Sequence, residues 1–234
     1  MEISLFFLFI ISCVYCCDMP AWTGFEFLVN NHDSIWYSLG VSIIASYIFY
    51  IFQVVIPRIK RLRSTRIIAL DRLEKLENTM YNTLCCLQGV PPNPGVKFSM
   101  ELIKKYLDDI DVFSENSKYE IHQHKELSVF EALVHYDNKI MTIADEIIAG
   151  QYLESKYESK LLDVKRSVFH NKIMFWIDNQ PGEYKRYNQI GPGYICVNVQ
   201  AFNSDVVFSL DEYLSIYDNI KKIKLATKKK LKMI

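Results

Sequence analysis

The sequence has little of the residues that loosen or break regular structure: eight glycines and seven prolines among 234 residues. Half of the residues are hydrophobic and 14% are aromatic, which excludes a disordered, collagen-like or low-complexity chain. Six cysteines are too few for a disulfide-stabilised scaffold of this length. The 27 basic and 27 acidic side chains cancel, which argues against a protein that coats nucleic acid with its whole surface.

The sequence also lacks the patterns that mark most enzymes and metal sites. It contains no nucleophile elbow, no zinc-protease helix and no set of kinase motifs. His122 and His124 are two positions apart, so on a helix their side chains diverge and cannot share a metal ion. The acidic run 109–120 is spaced like a calcium loop, but Phe113 and Ser114 stand where a ligand and a glycine are needed. We therefore predict no catalytic residue, no cofactor and no metal.

The run 35–56 contains no charged residue. As a helix it would extend about 33 Å, and the hydrocarbon core of a bilayer is about 30 Å thick. Trp36 lies at its start and Tyr50 near its end, where rings with a polar tip favour the membrane interface. Pro57 is expected to end the span. The pattern predicts a transmembrane helix within a membrane region that covers residues 1–57.

Basic residues are distributed unevenly on the two sides of this run. Residues 1–57 contain no lysine or arginine. A cluster of five basic residues follows at once: Arg58, Lys60, Arg61, Arg63 and Arg66. Because basic flanks remain on the cytoplasmic side, the helix is expected to run from outside to inside. The basic cluster then belongs to a juxtamembrane segment and connecting helix, 58–90, and everything beyond it is cytoplasmic.

A second, shorter apolar segment occupies residues 3–17. Its length corresponds to about 22 Å of helix, which is short for a span and typical of the core of a signal peptide. It has no basic residue before it, as a signal peptide normally would. Three interpretations stay open: a short first span, a cleaved or lipidated signal, and an interfacial segment. We favour the first, which gives a transmembrane helical hairpin with both ends in the cytoplasm.

Small residues recur along the second apolar helix. Ser38, Ser42 and Ser46 follow one another every four residues, with Gly40 and Ala45 nearby. Small residues at this spacing let helices approach closely in a membrane. We interpret these five residues as a helix-packing face and expect a homo-oligomer.

Beyond the membrane region the pattern is mainly α: a cytosolic helical bundle over residues 96–220 with a small β-hairpin near 183–200. An apolar stripe of Leu70, Leu73, Met80, Leu84 and Leu87 has the spacing of one helix face, so the connecting helix is predicted to continue to Gly89. Another helix is predicted over 99–110. The patterns Ser117-x-x-Glu120 and Ser209-x-x-Glu212 predict capping boxes that start the third and the last helices. A fourth helix is expected from about 152 to 177. The alternating, β-branched run 194–199, near turns at 180–182 and 191–193, predicts a strand.

The tail 221–234 holds seven lysines and no acidic residue. They are Lys221, Lys222, Lys224, Lys228, Lys229, Lys230 and Lys232. Residues 67–220 contain 15 basic and 23 acidic side chains, so an acidic body lies between two basic strips. Ile220, Ile223, Leu231 and Ile234 are candidates for an apolar side of the tail. The tail is expected to return to the membrane, to bind nucleic acid, or to remain a frayed, solvated end.

The run SLGVSIIASYIFYIFQVVIPRIKRLR, at residues 38–63, and the layout as a whole resemble the two-transmembrane effectors of bacterial retron anti-phage defence systems. The resemblance implies a toxin-like effector in the bacterial inner membrane, with its C-terminal domain in the cytoplasm. It further implies that a reverse transcriptase and its RNA–DNA product hold that domain inactive, and that release permeabilises the membrane. It implies no catalytic residue.

Two other functions remain open. The chain is consistent with a membrane-tethered adaptor that recruits a protein or nucleic-acid partner through its cytosolic helical domain. A tethered nuclease is a third interpretation, which would use the acidic cluster of Asp108, Asp109 and Asp111. An acidic helix face in solvent explains that cluster more simply.

Overall fold

The structure is a computed structural model that describes residues 2–16, 35–114, 117–121, 125–179 and 192–232. It divides into two compact units, 1–64 and 65–234. The helices are α1 (Glu2–Cys16), α2 (Ile35–Tyr50), α3 (Ile56–Gln88), α4 (Met100–Asp109), α5 (Val129–Ala149), α6 (Ser155–Lys165), α7 (Val168–Asn179) and α8 (Pro192–Lys232). Strands β1 (Lys118–Ile121) and β2 (Lys125–Ser128) form one antiparallel pair. The prediction of a mainly helical protein with a small two-stranded sheet is confirmed.

In the first unit, α1 and α2 pack against each other in opposite directions. Phe9 of α1 stacks on Tyr47 of α2, with ring centroids 4.4 Å apart. At the other end of the pair, the Cys16 Sγ lies 3.9 Å from the carbonyl oxygen of Tyr37. The later residue of α1 therefore contacts the earlier residue of α2, so the two helices are antiparallel.

The second unit has one hydrophobic core. Four of the five residues of the predicted apolar stripe are buried there: Leu73, Met80, Leu84 and Leu87 of α3 are fully enclosed, whereas Leu70 is only half-buried. Leu76, which the prediction did not include, is enclosed with them. They pack with the inner faces of α4, α5, α6, α7 and α8. Spacings of three and four residues keep such side chains on one side of a helix. The expected end of this helix is also confirmed, because Gly89 adopts the left-handed conformation (φ 68°) that follows many helix C-termini.

The β-hairpin lies in a different place from the predicted one. β1 pairs with β2 from Lys118–Ser128 to Ile121–Lys125. The expected strand at 194–199 is wrong, because those residues belong to the first turns of α8. β-Branched residues disfavour a helix by only a fraction of a kcal/mol each, so a long helix that packs downstream can absorb them. The turn at 180–182, residues 183–190 and Gly191 lie outside the described residues.

The two predicted capping boxes are also wrong, and a third one is present. Glu120 lies within β1 and not in a helix. The capping box that starts α5 is formed by Ser128 and Glu131. The Ser128 hydroxyl accepts a hydrogen bond from the Glu131 amide (3.2 Å), and the Glu131 carboxylate accepts one from the Ser128 amide (3.1 Å). The Ser-x-x-Glu pattern that forms a capping box therefore begins at Ser128, eleven positions after the predicted one.

Ser209 and Glu212 lie in the middle of α8 and not at its start. Glu212 instead caps a different helix, because its carboxylate accepts a hydrogen bond from the Val168 amide (2.7 Å) at the start of α7. Ser167 assists there by accepting a hydrogen bond from the His170 amide (3.2 Å). These two caps stabilise a new helix N-terminus at Val168. The single helix expected over 152–177 is therefore two helices, α6 and α7.

Candidate membrane-facing and partner-binding surfaces

From Tyr37 to Gln88 the chain is helical over 52 residues, and this is the one described helix long and apolar enough to cross a membrane. Only 6% of its most apolar stretch is buried. Large apolar side chains such as Leu39, Phe49 and Phe52 are exposed, Phe52 by 66%. A core helix of a soluble protein would bury such residues, so length, composition and exposure agree with a spanning helix.

The predicted packing face of α2 is divided between two sides of the helix. Gly40 lies against α1, because a Cβ atom at this position would be 2.7 Å from the Cys16 Sγ. The small residues on the other side are exposed: Ser38, Ser42, Ala45 and Ser46. The Ser42 hydroxyl donates to the carbonyl oxygen of Ser38 (2.9 Å), which satisfies it within the helix. We call the four exposed residues the serine face.

A π-helical turn, Ile51–Val55, links α2 to α3. The Ile56 amide bonds to the carbonyl oxygen of Ile51, five residues back. Proline has no amide hydrogen, and its ring collides with the carbonyl group four residues earlier. A wider turn just before Pro57 relieves that collision, and the helix continues. Pro57 therefore ends the apolar run but does not end the helix.

The basic residues after the apolar run do not all have the same surroundings. Arg58, Lys60, Arg61 and Arg63 are exposed. Arg66 is half-buried, and its guanidinium donates to the carbonyl oxygen of Lys230 (3.1 Å). The last carbonyl groups of a helix have no partner within it, so Arg66 caps the C-terminal end of α8.

The basic tail is part of α8 and packs on the second unit. Ile220, Ile223 and Thr227 are buried there. The expectation of an apolar side that faces a membrane is therefore wrong for Ile220 and Ile223. Leu231 is half-buried, and Ile234 lies outside the described residues. The interpretation of residues 221–232 as a frayed end is also wrong, because they are helical and one side of the helix is in the core.

Packing sorts the seven lysines into two groups. Lys224 forms an ion pair with Glu77 of α3, Lys230 forms one with Glu154, and the Lys221 ammonium lies 4.0 Å above the ring of Tyr217. The other four, Lys222, Lys228, Lys229 and Lys232, are exposed and have no ion-pair partner in the part of the chain that the structure describes. Leu225, exposed by 63%, lies among them. We call these four lysines and Leu225 the basic face.

A groove of about 960 Å³ lies between the C-terminal end of α4 and the first half of α8. Asn203 lines it, and its amide group donates to the Leu107 carbonyl oxygen (2.7 Å). The Asn203 Oδ1 is buried and has no hydrogen-bond partner in the part of the chain that the structure describes. Phe208, exposed by 77%, is an apolar wall of the same groove. Asp108, Asp109 and Asp111 also line it, but no three acidic, histidine or cysteine side chains converge for a metal in the described ranges.

One buried polar pair was missed in the sequence. His170 of α7 and Asp137 of α5 are joined by a 2.6 Å contact between Nδ1 and Oδ2. The side chain of Asp137 is 1% exposed, and its Oδ1 has no hydrogen-bond partner among the described residues. The hydrogen bond to Asp137 raises the pKa of His170, although partial burial opposes the shift. Asp137 falls between Leu133 and Ile140 on the buried stripe of α5, and an acidic residue at a core position was the available signal.

Comparisons with known protein families, with curated proteins and with solved structures find no match to this chain. The resemblance to retron effectors therefore depends on the apolar run and the layout alone. The surfaces from which a function can be argued are the serine face, the basic face and the groove.

Proposed function

We propose that the protein is an inner-membrane effector of a prokaryotic antiviral defence system, restrained by a cytosolic partner and able to permeabilise the membrane when released. The observation that carries the proposal is the uncovered apolar surface of α2. Each Å² of apolar surface left in water costs about 25 cal/mol, so a helix with this surface is stable in lipid and not in water. The exposed residues from Arg58 to Arg63 then favour a cytoplasmic location for everything that follows.

The antiparallel packing of α1 on α2 supports a two-helix membrane hairpin. Gly40 lies against α1, so α1 covers one side of α2. The serine face lies on the other side and is open to lipid or to another copy of the chain. Polar and small residues associate helices in membranes by about 1 kcal/mol per contact. We propose that copies of the chain meet through the serine face, and that hydroxyl groups gathered there offer ions a polar path.

The restraint would act on the second unit. This unit has its own core and carries the groove with Phe208, an exposed ring suited to a protein partner. The resemblance suggests a reverse transcriptase with its RNA–DNA product as that partner. The groove also favours a second candidate function, a membrane-tethered adaptor that recruits a partner through this domain without opening the membrane.

Expression in bacteria with a potential-sensitive dye separates the two functions. The effector is expected to depolarise the inner membrane and arrest growth, and the double variant Ser42→Leu/Ser46→Leu should abolish both effects by blocking close helix approach. The matched control is Val41→Leu/Ile48→Leu, which changes two exposed positions of α2 outside the serine face. Unchanged depolarisation by the serine variant would refute the packing role, and no depolarisation by the wild type would favour the adaptor.

Orientation has its own test. A reporter that is active only in the cytoplasm should be active when it is fused after residue 234. A reporter that is active only in the periplasm should be inactive when it is fused at the same position. The reverse result would remove the membrane topology on which both functions depend.

A further inference from the structure

The basic face is a continuous stripe. Residues 222, 225, 229 and 232 are three or four positions apart, and residue 228 lies beside them, so all five fall within about 120° of the α8 surface. The stripe is therefore a line of four ammonium groups about 15 Å long with one apolar side chain in its middle.

The buried side of α8 makes this stripe face away from the core. Ile220, Ile223 and Thr227 are buried on the opposite side, and the Lys224–Glu77 ion pair holds the flank. The stripe cannot turn inward without removing these residues from the core. Lysines are costly to hold close together unless an anion is near, and no carboxylate within the described residues contacts the four of them.

Chain connectivity limits how far the end of α8 can lie from the apolar run. Arg66 holds the carbonyl oxygen of Lys230, and Arg66 follows the last residue of the apolar run by ten positions. Ten residues span at most about 35 Å even when fully extended. If the apolar run is anchored in lipid, as proposed above, this limit keeps the end of α8 within reach of the cytoplasmic headgroups.

We infer that the basic face of α8 binds the anionic headgroups of the inner leaflet, with Leu225 inserted at the interface. The four lysines attract phosphate groups, and each contributes about fivefold to binding at an anionic surface. The exposed Leu225 side chain can insert among the acyl chains at a lipid interface. The phosphate backbone of a nucleic acid offers it no apolar contact. The inference rests on the membrane anchoring of the proposed function and adds a second, electrostatic attachment to it.

The test uses the full chain in nanodiscs of phosphatidylcholine, alone or mixed with phosphatidylglycerol. A water-soluble amine-reactive ester labels lysines, and mass spectrometry reads each site. Labelling of Lys222, Lys228, Lys229 and Lys232 should slow about fivefold in the anionic discs and recover at high salt. Labelling of Lys104, Lys105, Lys139 and Lys160, which are exposed elsewhere on the domain, should be the same in both discs.

Variants make the test specific. Leu225→Cys carrying an environment-sensitive dye should shift to the blue in anionic discs, and the shift should disappear when the four lysines of the basic face are changed to Gln. The matched control changes the four exposed lysines elsewhere to Gln and should keep the shift. Equal labelling in both discs, or protection in neutral discs by added duplex RNA or DNA and not by phosphatidylglycerol, would overturn the inference.

Failure of the lipid contact of α8 can be distinguished from failure of the membrane anchoring on which the proposed function depends. Resistance to carbonate extraction reports the anchor, and it should be the same for the wild type and the four-lysine variant. If the wild type is extracted by carbonate, the anchoring has failed. If it resists carbonate but the lysines are labelled equally in both discs, only the lipid contact of α8 has failed.

Discussion

The substitution Asp137→Asn should make the stability of the second unit lower and change its pH dependence. Asp137 is fully buried in α5 and contacts His170 Nδ1 at 2.6 Å. Asparagine keeps the shape of the side chain and removes its charge. The variant therefore isolates the electrostatic part of the contact between α5 and α7.

The magnitude follows from burial. Removing one partner of a fully buried ion pair costs about 3–5 kcal/mol, and a hydrogen bond to a charged group contributes about 1.5–3 kcal/mol. The His170 side chain is 20% exposed, and water that reaches it reduces the cost. We expect a loss of about 2 kcal/mol in the free energy of unfolding at pH 6.

The pH dependence follows from the raised pKa of His170. The protonated form is favoured in the folded state, so the stabilisation is complete below the unfolded pKa of about 6.5 and is lost as the pH rises through the higher folded pKa. The wild type should therefore lose stability as the pH rises from 6 to 8. In the Asn variant partial burial and the positive charge of Lys165 still act on the imidazole, and both lower the pKa of His170, so this slope should be absent or reversed.

Urea titration of the full chain in detergent micelles measures both effects. Trp176 is buried in α7 and reports the unfolding of the second unit once Trp22 and Trp36 are changed to Phe. The control is Asp145→Asn, the same chemical change on the same helix. Asp145 pairs with Lys165 at the surface (2.6 Å), and its loss should cost at most about 0.5 kcal/mol. Equal losses in the two variants, or a wild-type stability that is flat between pH 6 and 8, would refute the reasoning.

Two further predictions concern packing and capping. Tyr37→Cys should form a disulfide with Cys16 under mild oxidation because α1 and α2 meet there, and adding Gly40→Val should reduce the yield by forcing the helices apart. Ser38→Cys lies on the serine face, away from α1, and should form no disulfide with Cys16 of the same copy. Ser128→Ala should lower the unfolding free energy by about 1 kcal/mol, whereas Ser209→Ala should be close to neutral because the Ser209 hydroxyl bonds only within α8; equal losses at the two serines would contradict the observed caps.

Periodicity predicted the fold better than capping patterns did. The apolar stripe of α3 could be predicted because four of its five residues face one continuous core, and Leu70 is the exception. The capping boxes predicted at Ser117 and Ser209 are wrong because the Ser-x-x-Glu pattern is also compatible with a strand and with the interior of a helix. The pattern alone therefore does not locate a helix start. Only the hydrogen bonds of the folded chain distinguish these from the pair at Ser128 and Glu131.

Long-range pairing explains what the sequence could not reveal about the candidate surfaces. Glu212 lies far along the chain from Val168, yet it provides the cap that divides the expected fourth helix. Asp137 and His170 are likewise 33 positions apart. Such partners are chosen by the packing of whole helices, and a local pattern around either residue carries no information about the other.

The basic tail shows what this means for arguments from composition. Seven lysines within twelve residues suggest a single function, but Glu77 of α3 neutralises Lys224, and Glu154, just before α6, neutralises Lys230. The charge available to an outside partner is set by the lysines that the domain leaves exposed, and their direction is set by the buried isoleucines behind them. Changing Glu77 to Gln should therefore release Lys224 and disturb the domain, without adding a charge to the basic face. A tail of the same composition without those buried contacts would present its lysines in every direction and would recognise no particular surface.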